Sequence, residues 1–328
     1  MLVSIIIINY NYGAYLTQAI ESALNQSYPN VQVIVIDDGS LDNSTEIIKR
    51  YTDRVIPILK ENTGHCSCVN LGFEKSHGDV VILLDADDVL FDFAAALHVA
   101  HMSNPAVVKS CGYLEVIDAN GKSTGRLIPS KLGHSGDYRD LTLGRGLGMY
   151  CASYTSGNAW ARHFLDKVMP LPDKDPINNT VGPDGYLTSI DVFFGRIETI
   201  HQSLGQYRIH GKNNGPISFR FDADHMRKRL QCRYHRIEYA EQVANRLGLH
   251  VNVKEFRKIN DWKLNLMRHA LVLIEEKGIS PAFFNFVTSP FQQYRRQFWK
   301  PAMLSLLFML IRVLPRAAAL RLARHLLP

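Results

Sequence analysis

Three carboxylates, Asp85, Asp87 and Asp88, fall within four positions of the stretch "DVVILLDADDVLF" at residues 79–91. Like charges this close repel, so a positive partner is expected beside them at neutral pH. Carboxylate oxygens suit hard cations such as Mg2+ or Mn2+, which makes a divalent-cation site one reading of the cluster. Helix capping is the other, because Asp is a good N-cap and "FAAALHV" follows. A cap needs only one Asp, and Asp92 stands in that place.

These acids end an apolar run, Val80 to Leu84, of the kind that is buried on both faces of a parallel sheet. Three similar runs precede it: "VSIIII" at 3–8, "VQVIVI" at 31–36 and "VIPIL" at 55–59. Between them "AYLTQAIESALNQ" and "STEIIKRYT" carry helical spacing, with Leu16, Ile20 and Leu24 on one face. Alternation of this kind predicts a Rossmann-like, mostly parallel α/β sheet flanked by helices. Ligands bind beyond the carboxyl ends of such strands. Asn9-Tyr10-Asn11, Asp37-Asp38-Gly39 and Asp85–Asp88 all lie there, so separate segments converge on one acidic crevice.

The next hundred residues are looser, with a hairpin expected at Asn120-Gly121 and long Gly- and Pro-rich loops. From residue 222 a helix is predicted, capped by Asp222 or Asp224, with Met226, Leu230, Ile237, Ala240 and Leu247 on one stripe and a stop at Gly248. The expected organisation is 1–104, 105–215 and a basic helical extension, 216–328. Five cysteines without metal spacing read as reduced cytosolic thiols. The opening "MLVSIIIINYNYG" reads as a strand, not a signal peptide.

Charge is unevenly placed. The net +6 divides into −6 before Pro216 and +12 from it onward, and no acidic residue follows Glu276. An acidic half joined to a basic tail points to an anionic partner, membrane or nucleic acid. Nucleic acid is the weaker choice, because the tail lacks a recognition motif or interleaved aromatics. The apolar run 302–311 is too short to span about 30 Å of hydrocarbon. With Trp299 and the arginines that follow, the tail suits a peripheral helix pair on anionic lipid, or one packed on protein.

Taken in order, "SIIIINYNYGAYLTQAIESALNQSYPNVQVIVIDDGSLDNS" and "KENTGHCSCVNLGFEKSHGDVVILLDADD" resemble the nucleotide-sugar-binding half of family-two glycosyltransferases with the GT-A fold. The likeness runs nearly continuously over residues 3–90 and returns in "GPDGYL" (182–187) and "YRIHGKNN" (207–214). It implies inverting transfer of one sugar from a nucleoside-diphosphate donor, a UDP-sugar by preference, to an acceptor hydroxyl in surface-glycan synthesis. The basic tail motivates a saccharide or lipid-linked saccharide acceptor at the cytoplasmic membrane face. The resemblance implies Asp87 at a Mn2+ or Mg2+ ion, Asp85 at that ion or the donor's ribose, and His210 at the ion or the diphosphate. It implies Asp38 against the base, Asn9 and Tyr10 around base and ribose, Asn62 and Gly64 near the donor, and Arg208 on a phosphate.

An inverting displacement needs a general base. The resemblance implies Asp184 for it, with Asp191, seven residues on, as the alternative. Pro183 departs from the family's commoner Glu-Asp pair at this point. A sugar nucleotidyltransferase would need G-x-G-x-R after the first strand, and a dinucleotide oxidoreductase G-x-G-x-x-G; "NYNYGAY" has neither. The Q-x-x-R-W of processive synthases fails at Arg296. A catalytically inactive sugar-nucleotide binder or assembly scaffold is the alternative from another class. Oligomeric state has no signature in the sequence.

Overall fold

β-branched, apolar sequence forms strands wherever both faces can be covered, and the first and fourth runs show it most fully. The computed structural model describes residues 1–173, 181–211, 213, 223–252, 256–257, 268, 271 and 314–326. β1 (Val3–Asn9) is buried along its whole length, as is β4 (Val80–Asp85) up to its last residue. Their alternate side chains enter two different cores. Ile6, Ile8, Val81 and Leu83 face one, while Ile5, Ile7, Ile82 and Leu84 face the other. Each fully buried Ile or Leu contributes about 1.5–3 kcal/mol, which fixes the register firmly.

β2 (Val31–Asp37) pairs parallel with β1 and with β3 (Ile56–Leu59), and β1 pairs parallel with β4. α1 (Gly13–Leu24), α2 (Ser44–Lys49) and α4 (Ala94–His101) cover one face. α3 (His65–Lys75), α6 (Arg162–Val168), α7 (Pro183–Ile190) and α8 (Ala223–Arg246) cover the other. The sheet does not stop at β4. β8 (Asn158–Ala161) inserts antiparallel between β4 and β6 (Val107–Ile117), and β6 runs parallel to the long β9 (Arg196–Arg208). β5 (Val89–Leu90) closes the far edge on β9, and β7 (Ser123–Ile128) forms the hairpin with β6. The two halves expected from the sequence therefore share one mixed sheet.

The hairpin turn has Gly121 at φ +84°, with Asp118 Oδ1 accepting from the Asn120 and Lys122 N–H groups. α5 (Arg139–Arg145) lies in the loop region before β8. The stripe of α8 is buried as expected at Met226, Leu230, Ile237 and Ala240, but Leu247 is exposed because the helix ends at Arg246. Gly248 at φ +67° closes it, with Leu249 N–H reaching the Ala244 carbonyl. Asp92 does not cap α4, which starts after Phe93 without a side-chain cap. All five cysteines are free thiols. No described helix is long and apolar enough to cross a membrane. The apolar run 302–311 and Trp299 lie outside the described residues; within the tail, α9 (Arg316–Leu326) is described and buries Ala319.

Candidate functional site

The carboxyl ends of β1, β2 and β4 bring three loops together. At the end of β1, Asn9 is fully buried, and its amide donates to Asp37 Oδ1 (2.6 Å) and Ser40 Oγ (3.1 Å). Asn9 thus braces the crevice from below and does not line it, because the Asp37 carboxylate needs that donor inside the protein. Tyr10 beside it is 45% exposed and stands at the opening. Asp37 also accepts from Ser40 N–H (2.9 Å) and Ser40 Oγ (2.5 Å), so it holds the "DDGS" turn.

Asp38 is almost as buried. It pairs with the Lys60 ammonium and accepts from Thr63 N–H and Gly64 N–H, both at 2.9 Å. Burial alone would raise its pKa, but the Lys60 hydrogen bond and the two N–H groups hold the carboxyl below its ordinary value. Gly39 at φ +75° fits because a Cβ there would lie 2.8 Å from the Asn62 nitrogen. Gly64, at φ +96°, starts α3. Asp38, Lys60 and the Thr63–Gly64 backbone are therefore one tied unit, with exposed Asn62 between them in sequence.

The β4 acids sit at the other end. Asp88 is 1% exposed; its Oδ2 accepts from Ser156 Oγ (2.6 Å) and its Oδ1 from the Arg208 backbone N–H (3.0 Å). The same Ser156 hydroxyl, in the 3-10 turn Thr155–Gly157, accepts from Asp85 N–H (3.2 Å). Asp87 Oδ2 lies 2.8 Å from His210 Nε2 and accepts from the Asn213 amide (3.3 Å). Asp85 Oδ1 is 3.7 Å from His65 Nε2, at the start of α3. Burial, then the Asp87 charge, pushes both Asp85 and Asp88 well above the usual carboxylate range. Asp184 stands in the first turn of α7, within electrostatic reach of Asp85 and His65.

Two further expectations are corrected. Arg208 is 1% exposed and cannot reach a donor phosphate. Its Nε donates to the Asp87 carbonyl (2.9 Å), its Nη2 to Gln18 Oε1 (2.5 Å), and its guanidinium stacks on Tyr15 at 4.8 Å, so it supports the acidic loop from behind. Asp191 is fully buried, begins a 3-10 turn after α7, and lies 3.3 Å from the equally buried Lys109 Nζ. It accepts from Tyr150 Oη (2.7 Å) and Val192 N–H (2.8 Å), which leaves it no path to an acceptor.

His65, Lys60, Ser156 and Lys109 were not anticipated. Lys60 and His65 had a usable signal, since they flank "ENTG", where donor contacts were expected. Ser156 and Lys109 had none, as their partners lie 41 or more residues away.

Among the described residues no three His, Cys, Asp or Glu side chains form a metal cluster by themselves. The donor set nonetheless fits an ion shared with a ligand. Asp87 and His210 supply hard oxygen and imidazole at one point, and Mg2+-type sites commonly take one or two protein carboxylates plus substrate phosphates.

With an acidic crevice on the carboxyl edge of a mixed sheet, the chain has the architecture of a GT-A glycosyltransferase. Residues 4–159 match the family described as Glycosyl transferase family 2, and the chain belongs to that family. Among curated relatives, an uncharacterized glycosyltransferase of Nostoc is 36% identical over 65% of this chain and 66% of its own length. One of Haemophilus influenzae is 36% identical over 40% of this chain and 54% of its length. One of Rickettsia prowazekii is 38% identical over 43% and 45%. The chain thus spans two thirds of the first and about half of the others. In fold it is similar to Staphylococcus aureus TarS 1-349 in complex with UDP-GlcNAc, at 14% identity and TM-score 0.54, covering 94% of this chain and 90% of that one. It is also similar to the mannosyltransferase PcManGT of Pyrobaculum calidifontis in complex with GDP-Man and Mn2+. There the identity is 16% and the TM-score 0.51, over 98% and 85% of the two chains.

Proposed function

We propose that this chain transfers one sugar, with inversion, from a nucleoside-diphosphate-sugar to an acceptor hydroxyl in cell-surface glycan synthesis. The observation that carries the reading is an acid cluster whose side chains form no Lys or Arg ion pair among the described residues. Asp85, Asp87 and Asp88 share one loop in which Arg208 gives its guanidinium to carbonyl and amide oxygens, not to their side chains. That arrangement suits a cation and its diphosphate.

Asp87 and His210 would hold the Mn2+ or Mg2+ ion, with Asp85 beside them. When bound, the ion supplies Lewis-acid neutralisation of the departing diphosphate. Asp38, fixed by Lys60 and the 63–64 backbone, presents its carboxylate edge to the base and favours an imide N–H donor, hence uracil. Tyr10, Asn62 and Gly64 border the nucleoside. Asp184 accepts the acceptor's proton as the hydroxyl attacks the anomeric carbon. It stands half-exposed in the first turn of α7, after Gly182. The TarS and PcManGT complexes support the class of donor, and they divide on the base: uridine in one, guanosine in the other.

The acceptor is a saccharide, free or lipid-linked, and the basic tail is a peripheral contact with the inner face of the cell membrane. Deleting residues 298–328 is expected to abolish association with anionic liposomes; unchanged association discards the membrane contact.

Calorimetric titration of UDP with Mn2+ into the wild-type protein and Asp87→Ala tests the donor site. Metal-dependent binding in the wild type, lost in the variant, is the expected result. Binding of GDP but not UDP overturns the use of Asp38. Binding of neither brings forward the inactive scaffold.

A further inference from the structure

A second concave site lies between α1, β5 and the β6–β7 turn, and none of Asp85, Asp87 and Asp88 lines it. This open groove has a volume of about 520 Å3, within the roughly 300–1,000 Å3 of small-molecule sites. Such sites are ordinarily lined by apolar side chains. Here the wall presents amides and carboxylates, with Gln18 and Asn25 from the α1 segment, Asp92 after β5, Asn120 in the turn and Gln206 from β9.

Hydrogen bonds within the wall decide which atoms are left for a ligand. Arg208 can only donate, and its Nη2 meets Gln18 Oε1 at 2.5 Å, so the Gln18 NH2 group stays free of that bond. Asn25 Nδ2 donates to Glu21 Oε2 (3.3 Å) and Gln206 Nε2 to Glu115 Oε2 (3.4 Å), which leaves both amide oxygens as acceptors. Asp118 Oδ1 holds the turn through the Asn120 and Lys122 N–H groups. Among the described residues the Asn120 side chain and the Asp92 carboxylate make no hydrogen bond at all. The groove thus offers several acceptors and a smaller set of donors.

Charge narrows the class of ligand. Arg208, the one cation among the described lining residues, is 1% exposed and gives its Nε to the Asp87 carbonyl and its Nη2 to Gln18. A phosphate or carboxylate would therefore meet Asp92 without a cation to offset it. An organic cation would find one unpaired carboxylate, because Glu21 already has Arg54 at 3.6 Å and the Asn25 amide. A hydroxyl donates and accepts at once, so a compound with several of them satisfies the amide oxygens, the carboxylate and the NH2 groups together. Half-buried Val89, on the same wall, suits the C–H side of a sugar ring.

We propose that this groove binds a neutral saccharide, at a site separate from the donor crevice. The site does not require the transferase reading, and its test can fail without that reading failing.

Saturation-transfer NMR on the full chain, without nucleotide or metal, reads binding of maltotriose, mannotriose and triacetylchitotriose. Spermidine and glycerol 3-phosphate are the charged probes. At least one trisaccharide is expected to bind, with little dependence on salt. Asn120→Ala/Asp92→Ala, at two exposed positions, should weaken that binding about ten-fold by removing its hydrogen bonds. The unfolding midpoint and UDP affinity should match those of the wild type. Absence of trisaccharide binding overturns the proposal, as does a charged probe whose binding the double variant removes. Trisaccharide binding that survives the double variant unchanged also overturns it, and moves the sugar to the acceptor side of the proposed active site. A chain whose trisaccharide binding is lost in the double variant, but which binds no nucleotide, keeps the groove and loses the donor reading instead.

Discussion

Two acid centres are buried in this chain, and they are handled in opposite ways. Asp191 is matched within the protein: Lys109 Nζ at 3.3 Å, Tyr150 Oη at 2.7 Å, and the Lys109 ammonium 5.2 Å and 5.5 Å from the Tyr150 and Trp160 ring centres. Asp85, Asp87 and Asp88 are not matched. Among the described residues their side chains meet histidines, hydroxyls and amide or backbone N–H groups, with no Lys or Arg ion pair. Desolvating an ion costs several kcal/mol, so a fold with no further use for a carboxylate gives it a cation. The first centre is structural; the second is the one the proposed function assigns to a cation and its diphosphate. Asp184 belongs with the second by its half-exposed place and its reach to Asp85.

That division is broken most sharply at the proposed base. Asp184→Asn should lower transfer by about 10²- to 10⁴-fold, the usual contribution of a positioned general base, with UDP affinity unchanged. Loss of nucleotide affinity in parallel would move Asp184 from proton transfer to the donor's coordination shell. Asp191→Asn should instead lower the unfolding midpoint. If it removed turnover in a fully folded protein, the assignment of the two acids would be reversed.

The next largest effect is on stability. Lys109→Met leaves Asp191 charged and alone in the core, and should cost about 3–5 kcal/mol in urea unfolding. Lys109→Met/Asp191→Leu should recover most of the loss, because both charges are then gone. Asp85→Asn should move the midpoint of the metal-free protein the other way, upward, since burial and the Asp87 charge already disfavour its ionised form. Equal losses at both centres would show that the acid cluster is structural after all.

The contrast also explains what the sequence could and could not disclose. The donor half was legible because its signals are local. Strands β1, β2 and β4 are six or seven residues long, each ends in polar residues, and parallel pairing puts those ends on one edge. Asp85, Asp87 and His210 were named from local motifs, and the fold brings Asp87 and His210 to 2.8 Å. Arg208 and Asp191 were misjudged because their roles depend on partners far along the chain. Arg208 meets Gln18 from 190 residues away, and Asp191 meets Lys109 only because β6 enters the sheet beyond β8. An Arg two residues before a candidate ligand reads as a phosphate anchor until its burial is known. Charge sign is visible in a sequence; whether the charge is already neutralised is a tertiary fact.

The smallest effect concerns Asp38, which stands between the two cases, paired with Lys60 yet placed at the proposed donor end. Its carboxyl is held below its ordinary value in the folded chain, against about 3.9 when unfolded. The stability it contributes is therefore fully present above the unfolded value and is lost as pH falls through the lower folded one. Lys60→Met removes a hydrogen bond to a charged group, worth roughly 1.5–3 kcal/mol, and lets the carboxyl rise. The variant should be less stable than wild type at pH 7, and the gap should close as pH is lowered from 5 towards 2, where Asp38 is protonated in both. Denaturant midpoints across that range measure it. If Asp38 also meets the base, UDP should narrow the gap at pH 7 by ordering the 60–64 turn around the same carboxylate. A gap unchanged by UDP would place Asp38 with Asp191, as a structural acid that stands near a binding site without taking part in it.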